Sequence, residues 1–238
     1  MVTTLEAPQI VTTDGIMVVR DDLLAGGTKA RFADSLFASG RPVVYASPAE
    51  GGAQTALAFT AQRLGAGLVI FVARRATPHP RTVMAHRLGA RVIDVAPGYL
   101  SVVQARAREY AQKNGMALAP FGLDIPGAAD AIAAAAALLP ATLPDEVWCA
   151  AGSGVLARGL AKAFPLAARH VVQVGHKLMP SDVGGARIHI YPRPFGSPAR
   201  TIPPFPSDPH YDAKAWEICA REHGAGSVLF WNVTGPAH

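Results

Sequence analysis

Short apolar runs alternate with longer amphipathic ones along the whole chain, and that alternation limits the fold more than any other feature. Residues 16–19, 43–45, 68–72, 92–95, 147–149, 171–174 and 228–231 are brief and mostly β-branched, so they read as strands. Between them, 29–38, 53–64, 81–88, 100–114, 128–139, 155–164 and 213–223 carry apolar positions three and four apart and read as helices. Gly40, Gly65, Gly89 and Gly115 stand where C-terminal caps belong. Strands separated by helices over this length imply an α/β fold, a mostly parallel sheet with helices on both faces. No repeat of fixed period interrupts the series, and alanine-rich 128–137 is simply a strong helix former. One stretch breaks it. Residues 192–209 hold seven prolines, which forbid helix and interior strand, so a long ordered loop or lid is expected there.

Half of the 238 residues are apolar and only 16% are charged, which excludes disorder. No apolar run reaches the roughly 18 residues of a membrane span. Residues 1–6 show no basic stretch leading into an apolar one, so no secretory leader is expected. Cys149 and Cys219 match neither a disulfide framework nor a paired metal spacing, and the eight histidines form no HExxH pair. A soluble cytosolic protein without a bound metal is the expectation. The net charge of +5 favours anionic partners in general. Aromatics, at 7%, are not interleaved with basic residues, which argues against a platform for single-stranded nucleic acid. The basic groups Arg74, Arg75, His79, Arg81, His86 and Arg87, and separately Arg187, Arg193 and Arg200, read as two solvated faces.

Four stretches could carry chemistry. Gly152-Ser153-Gly154 follows an apolar run and opens a helix, so its bared N–H groups at the positive helix end suit a phosphate. It is neither a Walker A loop nor a full dinucleotide fingerprint. Gly26-Gly27-Thr28-Lys29 pairs glycines that allow close approach with a lysine. If partly buried, that lysine would supply a neutral amine for an imine with an aldehyde. Ser47 to Gln54 again exposes N–H groups before a helix, suited to a carboxylate. Asp208-Pro-His-Tyr211-Asp-Ala-Lys214 and the late Thr234 complete the set, the threonine hydroxyl being able to meet a ring nitrogen. Ile188-His189-Ile190 reads as one polar position on a strand, and Ala151-Gly-Ser-Gly-Val has the wrong order for a nucleophile elbow, which argues against a hydrolase.

In this order the four stretches resemble the fold type II, tryptophan synthase β-like, pyridoxal-phosphate enzymes. The branch they resemble contains 1-aminocyclopropane-1-carboxylate deaminase and D-cysteine desulfhydrase. Arg20-Asp-Asp-Leu…Gly26-Gly-Thr-Lys-Ala-Arg31 is similar to "RDDL…GGNKxR", Ala151-Gly-Ser-Gly-Val-Leu156 to the phosphate loop, and Asp208–Lys214 to "DPVYTGK". Val228-Leu-Phe…Thr234-Gly235 is similar to the segment ending "HTGG", and 71–93 to the small-domain strand–helix–strand. The resemblance implies two open, mostly parallel sheets, with 1–45 and 125–238 as a larger cofactor-binding domain and 46–124 as a smaller α/β domain. It implies pyridoxal 5'-phosphate as cofactor and commonly a homodimer. Lys29 would hold the cofactor and act as base at the substrate α-carbon. Gly152, Ser153, Gly154 and Val155 would hold the phosphate, and Thr234 would meet the ring nitrogen. Gly51, Gly52, Ala53 and Gln54 would hold the substrate carboxylate, and Tyr211 would act on the leaving group.

The chain departs from the pattern at three places. Gly52 stands where the family has an asparagine, with only Glu50 or Gln54 to substitute. Val155 and Leu156 replace Gly-Thr, removing a hydroxyl donor, and the segment between phosphate loop and tyrosine is short. A neutral Thr234 makes a weaker electron sink than a carboxylate would, which favours β-elimination or replacement over decarboxylation or transamination. The implied activity is a lyase or deaminase acting on a small amino acid. Two alternatives are an enzyme modifying an amino-acid group on a nucleobase in phage DNA, and a non-catalytic binding protein on the same scaffold.

Overall fold

The computed structural model describes residues 6–140 and 143–236, so residues 1–5, on which most of the leader reading rests, lie outside it. In chain order the elements begin with β1 (Ile10–Thr13), β2 (Ile16–Arg20), α1 (Ala30–Phe37), β3 (Val43–Ala46), α2 (Ala53–Leu64), β4 (Leu68–Ala73) and α3 (Pro80–Arg87). There follow β5 (Arg91–Val95), α4 (Leu100–Lys113), β6 (Ala117–Leu118) and α5 (Ala128–Ala136). The last are β7 (Glu146–Ala151), α6 (Val155–Ala163), β8 (Ala168–Gln173), β9 (Arg187–Ile190), α7 (Asp212–Glu222) and β10 (Val228–Asn232).

The chain forms two compact units. One combines the residues up to Arg31 with Asp124–Pro236; the other is Phe32–Leu123. The boundary thus precedes residue 46, where the sequence reading drew it, because β3 pairs in parallel with β4 and β6 and belongs to their sheet. Both sheets are mostly parallel, in the orders β1-β2-β10-β7-β8-β9 and β5-β4-β3-β6. Among the described residues only β1 and β2 run antiparallel, through a two-residue Asp14-Gly15 turn with both residues at positive φ.

Burial follows position in the sheet. Central β3 and β10 are buried at every residue, as parallel strands covered on both faces must be, whereas edge strands β5 and β9 are half-exposed. In the longer unit Trp216, Ile218 and Cys219 of α7 pack on Val18, Trp148, Val172 and Phe230. Burying each large side chain here contributes about 1.5–3 kcal/mol. From the other side α6 covers β7 and β8, with α5 against it. In the shorter unit Val103, Ala107 and Ala111 of α4 cover Val44, Ala46, Val69 and Phe71.

The proline-rich stretch is an ordered loop pinned to α7. Phe205 meets Trp216 edge-on at 4.9 Å, the buried Lys214 Nζ donates to the Pro194 and Phe195 carbonyls at 3.0 Å, and Glu217 accepts the Arg200 N–H at 2.8 Å. Among the described residues no helix is long and apolar enough to cross a membrane.

Candidate active site

In the longer unit β2, β10 and β7 are adjacent parallel strands, so the segments leaving their carboxyl ends converge where open α/β sheets bind ligands. After β2 the chain makes two short 3₁₀ turns, Asp21–Leu23 and Gly27–Lys29. Asp21 is the pin. Its buried carboxylate accepts the Thr28 hydroxyl at 2.7 Å, the Trp231 indole N–H at 3.0 Å and two N–H groups of Arg31. Asp22 bonds Arg20 and the buried Asn232 amide, at 2.7 and 2.8 Å. The Arg-Asp-Asp segment therefore fixes the lysine turn onto β10. Gly27 completes the fit: at φ +67° it brings the backbone so close to β10 that a Cβ there would lie 2.4 Å from the Val233 carbonyl oxygen. That same oxygen accepts the Thr28 N–H at 3.1 Å. Lys29, half-buried, leaves this turn close enough to Asp212 to lower that group's pKa.

Beyond β7, Gly152-Ser153-Gly154 forms the turn into α6. Gly154 has φ +79°, and a Cβ on it would fall 2.0 Å from the Asp182 carbonyl oxygen. Arg158 donates to that same oxygen at 2.9 Å, which holds the 180–183 turn against the loop. The first-turn N–H groups of α6 have no acceptor within the helix. The Gly152 N–H is directed at the Tyr211 hydroxyl. Burial raises the Tyr211 pKa, and neighbouring Asp212, Cys149 and Asp208 add to the rise, against that one N–H. The phenol therefore holds its proton.

The loop after β10 is tied to the segment that leads into α7. Asp208 N–H donates to the Thr234 carbonyl, and the Thr234 N–H donates to Asp212 Oδ2, both at 3.1 Å. Asp212 is fully buried, and its Oδ1 has no hydrogen-bond partner. Its pKa is raised well above the ordinary 3.8 by burial first and Asp208 second, opposed by the N–H groups of Val233 and Thr234 and by Lys29. Sequence reasoning missed this residue. The signal was present: Asp212 stands at the threonine of the "DPVYTGK" pattern, so a carboxylate had entered beside the tyrosine.

The shorter unit carries the remaining candidates. The Gly51 N–H is spent within its own turn, on the Pro48 carbonyl at 3.0 Å. Gln54 is buried and fully engaged, donating to the Ala49 carbonyl at 2.6 Å and accepting the Thr82 hydroxyl at 3.1 Å. Both groups help to hold the shape of their own loop. Gly52 and Ala53, at the start of α2, keep first-turn N–H groups with no acceptor within the helix. Glu50 pairs with Arg75 at 2.6 Å; burial opposes its charge, but its own N–H, Arg75 and His79 prevail and its pKa lies low. The basic 74–87 cluster is not wholly a solvated face, since Arg81 is buried.

The family of pyridoxal-phosphate dependent enzymes matches residues 3–226. The chain belongs to that family. Its cofactor is pyridoxal 5'-phosphate. A glycyl-dTMP PLP-dependent decarboxylase of Pseudomonas phage M6 is 26% identical, over 75% of this chain and 76% of that protein. Among solved structures, an ACC deaminase homologue superimposes with a TM-score of 0.83 at 15% identity, covering 98% of this chain and 90% of that one. Diaminopropionate ammonia lyase of Escherichia coli gives 0.67 at 15% identity, over 98% and 84%. Those two likenesses establish the fold: the tryptophan synthase β-like α/β architecture. The residues present also fit the cofactor. A glycine turn stands before α6, whose first-turn N–H groups have no acceptor within the helix and suit the phosphate, and a buried carboxyl oxygen in want of a partner stands near Lys29.

Proposed function

We propose that this chain is a pyridoxal-phosphate-dependent lyase that breaks a bond at the α-carbon of an amino acid. The observation that supports it is the lysine turn, pinned through Asp21 and Val233 to the last strand and set near a buried carboxyl. In this reading Lys29 would hold the cofactor through its aldehyde and would serve as the base at the substrate α-carbon. Ser153, Gly154 and Val155 offer N–H groups to the phosphate, aided by the dipole of α6. Gly52 and Ala53 carry N–H groups of the kind that suit a substrate carboxylate. Tyr211 keeps its proton and delivers it to a departing group. When bound, the cofactor supplies the electron sink. A homodimer in the cytosol belongs to the same reading, and sedimentation would check the dimer.

A second reading is favoured by one finding, the phage relative: loss of carbon dioxide from an amino-acid group carried on a nucleotide. The two separate by product, since one releases ammonia or another β-substituent and the other releases CO2 from a nucleotide-linked substrate.

The test is direct. Purified protein incubated with pyridoxal phosphate should turn yellow, and borohydride should fix the cofactor onto the peptide containing Lys29. Lys29→Ala should lose both. Protein that stays colourless would support the non-catalytic alternative and overturn both enzyme readings.

A further inference from the structure

Between Glu50 and Asp94 the chain has no Asp, Glu or Lys, but it has six arginines. Two of them, Arg74 and Arg75, follow β4 directly, at the carboxyl end where open parallel sheets take ligands. Because β3 pairs with β4 in parallel, the segment leaving β3, residues 47–52, emerges beside them. Arg75 Nη1 reaches across and donates to Glu50 at 2.6 Å. His79 lies within electrostatic reach of the same carboxylate. Arg74 is exposed, and its side chain has no ion pair or hydrogen bond among the described residues; its N–H is tied to the Val95 carbonyl at 2.9 Å. On these two segments one carboxylate is set against three basic groups.

The Arg75–Glu50 pair leaves that excess unanswered. Its side chains are 48% and 28% exposed, and so open a pair contributes little and exchanges readily for a better anion. The residue type says which anion. A guanidinium presents a planar fork that meets phosphate oxygens two at a time, which a lysine ammonium cannot do.

We propose that Arg74 and Arg75 bind a phosphate group carried by the substrate, beside the loop whose Gly52 and Ala53 suit its carboxylate. This rests on the proposed role of that loop, and it narrows the substrate class to amino acids that bear a phosphate. Glu50 is the gatekeeper: it occupies Arg75 until an anion of higher charge displaces it. A small phosphorylated amino acid and an amino-acid group on a nucleotide share this chemistry.

The experiment titrates holoprotein with 2-aminobutyrate and with 2-amino-4-phosphonobutyrate, the same chain ending in a phosphonate that cannot leave, and follows the cofactor's absorbance. Wild type should bind the phosphonate about 10- to 100-fold more tightly, the range for hydrogen bonds to a charged group. Arg74→Ala and Arg75→Ala should each bring the phosphonate close to the 2-aminobutyrate affinity, and Arg74→Lys should recover part of the loss. Glu50→Gln should strengthen phosphonate binding, a change opposite in sign to any loss of fold. Arg87→Ala, at the other end of α3, should change nothing. Thymidine 5'-phosphate and inorganic phosphate should both displace the phosphonate. A nucleotide that competes better assigns the phosphate to a nucleotide-linked substrate, and equal competition assigns it to a small phosphorylated amino acid. With borohydride labelling of Lys29 intact, equal wild-type affinities for the two amino acids, or a phosphonate advantage that survives both alanine variants, would overturn this inference alone. Absence of the Lys29 label in wild type would overturn the proposed function beneath it.

Discussion

Replacing Gly27 by alanine isolates the contact that seats the lysine turn. Two costs add. At φ +67° an alanine carries the left-handed penalty of about 1–2 kcal/mol. Its methyl would also sit 2.4 Å from the Val233 carbonyl oxygen. A comfortable contact is about 3.5 Å, so the carbonyl must retreat by roughly 1 Å. That carbonyl holds the Thr28 N–H at 3.1 Å, and weakening the bond adds about 0.5–1.5 kcal/mol. The expected destabilisation is about 1.5–3.5 kcal/mol by urea unfolding, with cofactor affinity reduced as well, because the turn that carries Lys29 is displaced. Gly15→Ala is the control: it has φ +78° but nothing within 4 Å, so only the backbone penalty of about 1–2 kcal/mol applies. Equal losses in the two variants, or wild-type cofactor binding by Gly27→Ala, would refute the reasoning.

Asp21→Asn strips the counter-charge from Arg31, whose side chain is only 5% exposed, and should cost about 3–5 kcal/mol in the same unfolding assay. Lys214→Met removes the two bonds to the Pro194 and Phe195 carbonyls, so limited proteolysis should cut within 192–209 faster while far-UV circular dichroism stays unchanged. His170 and His189, 3.0 Å apart, both have pKa values held below the ordinary 6.5 by burial first. The unfolded chain then binds more protons, so stability should be full above about pH 6.5 and fall as pH drops toward the depressed folded values. His189→Gln should flatten that slope between pH 7 and 5, and an unchanged slope would remove the histidine pair as its source.

The parallel scaffold was legible because buried parallel strands write themselves as unbroken apolar runs, and 228–231 or 68–72 cannot be mistaken for anything solvated. Strand β1 escaped notice because only its first two residues are apolar and it lies at a sheet edge, although Asp14-Gly15 after it is a strong hairpin signal. The glycine turns were visible as candidates. What the sequence could not convey was which of their N–H groups the fold consumes itself, as it does for Gly51 and, through Tyr211, for Gly152. Asp212 was hidden for a different reason: an acid in the first turn of a helix looks like an ordinary dipole partner, and only its burial beside Lys29 and Thr234 marks it out.

The pin at Asp21 joins residues 28 and 31 to residue 231, which lie at opposite ends of the polypeptide. A ribosome must therefore finish β10 before the turn that carries Lys29 has a fixed address. A growing chain carrying every glycine turn still lacks the indole and the carbonyl that anchor it. The anchorage of that turn arrives all at once, with β10.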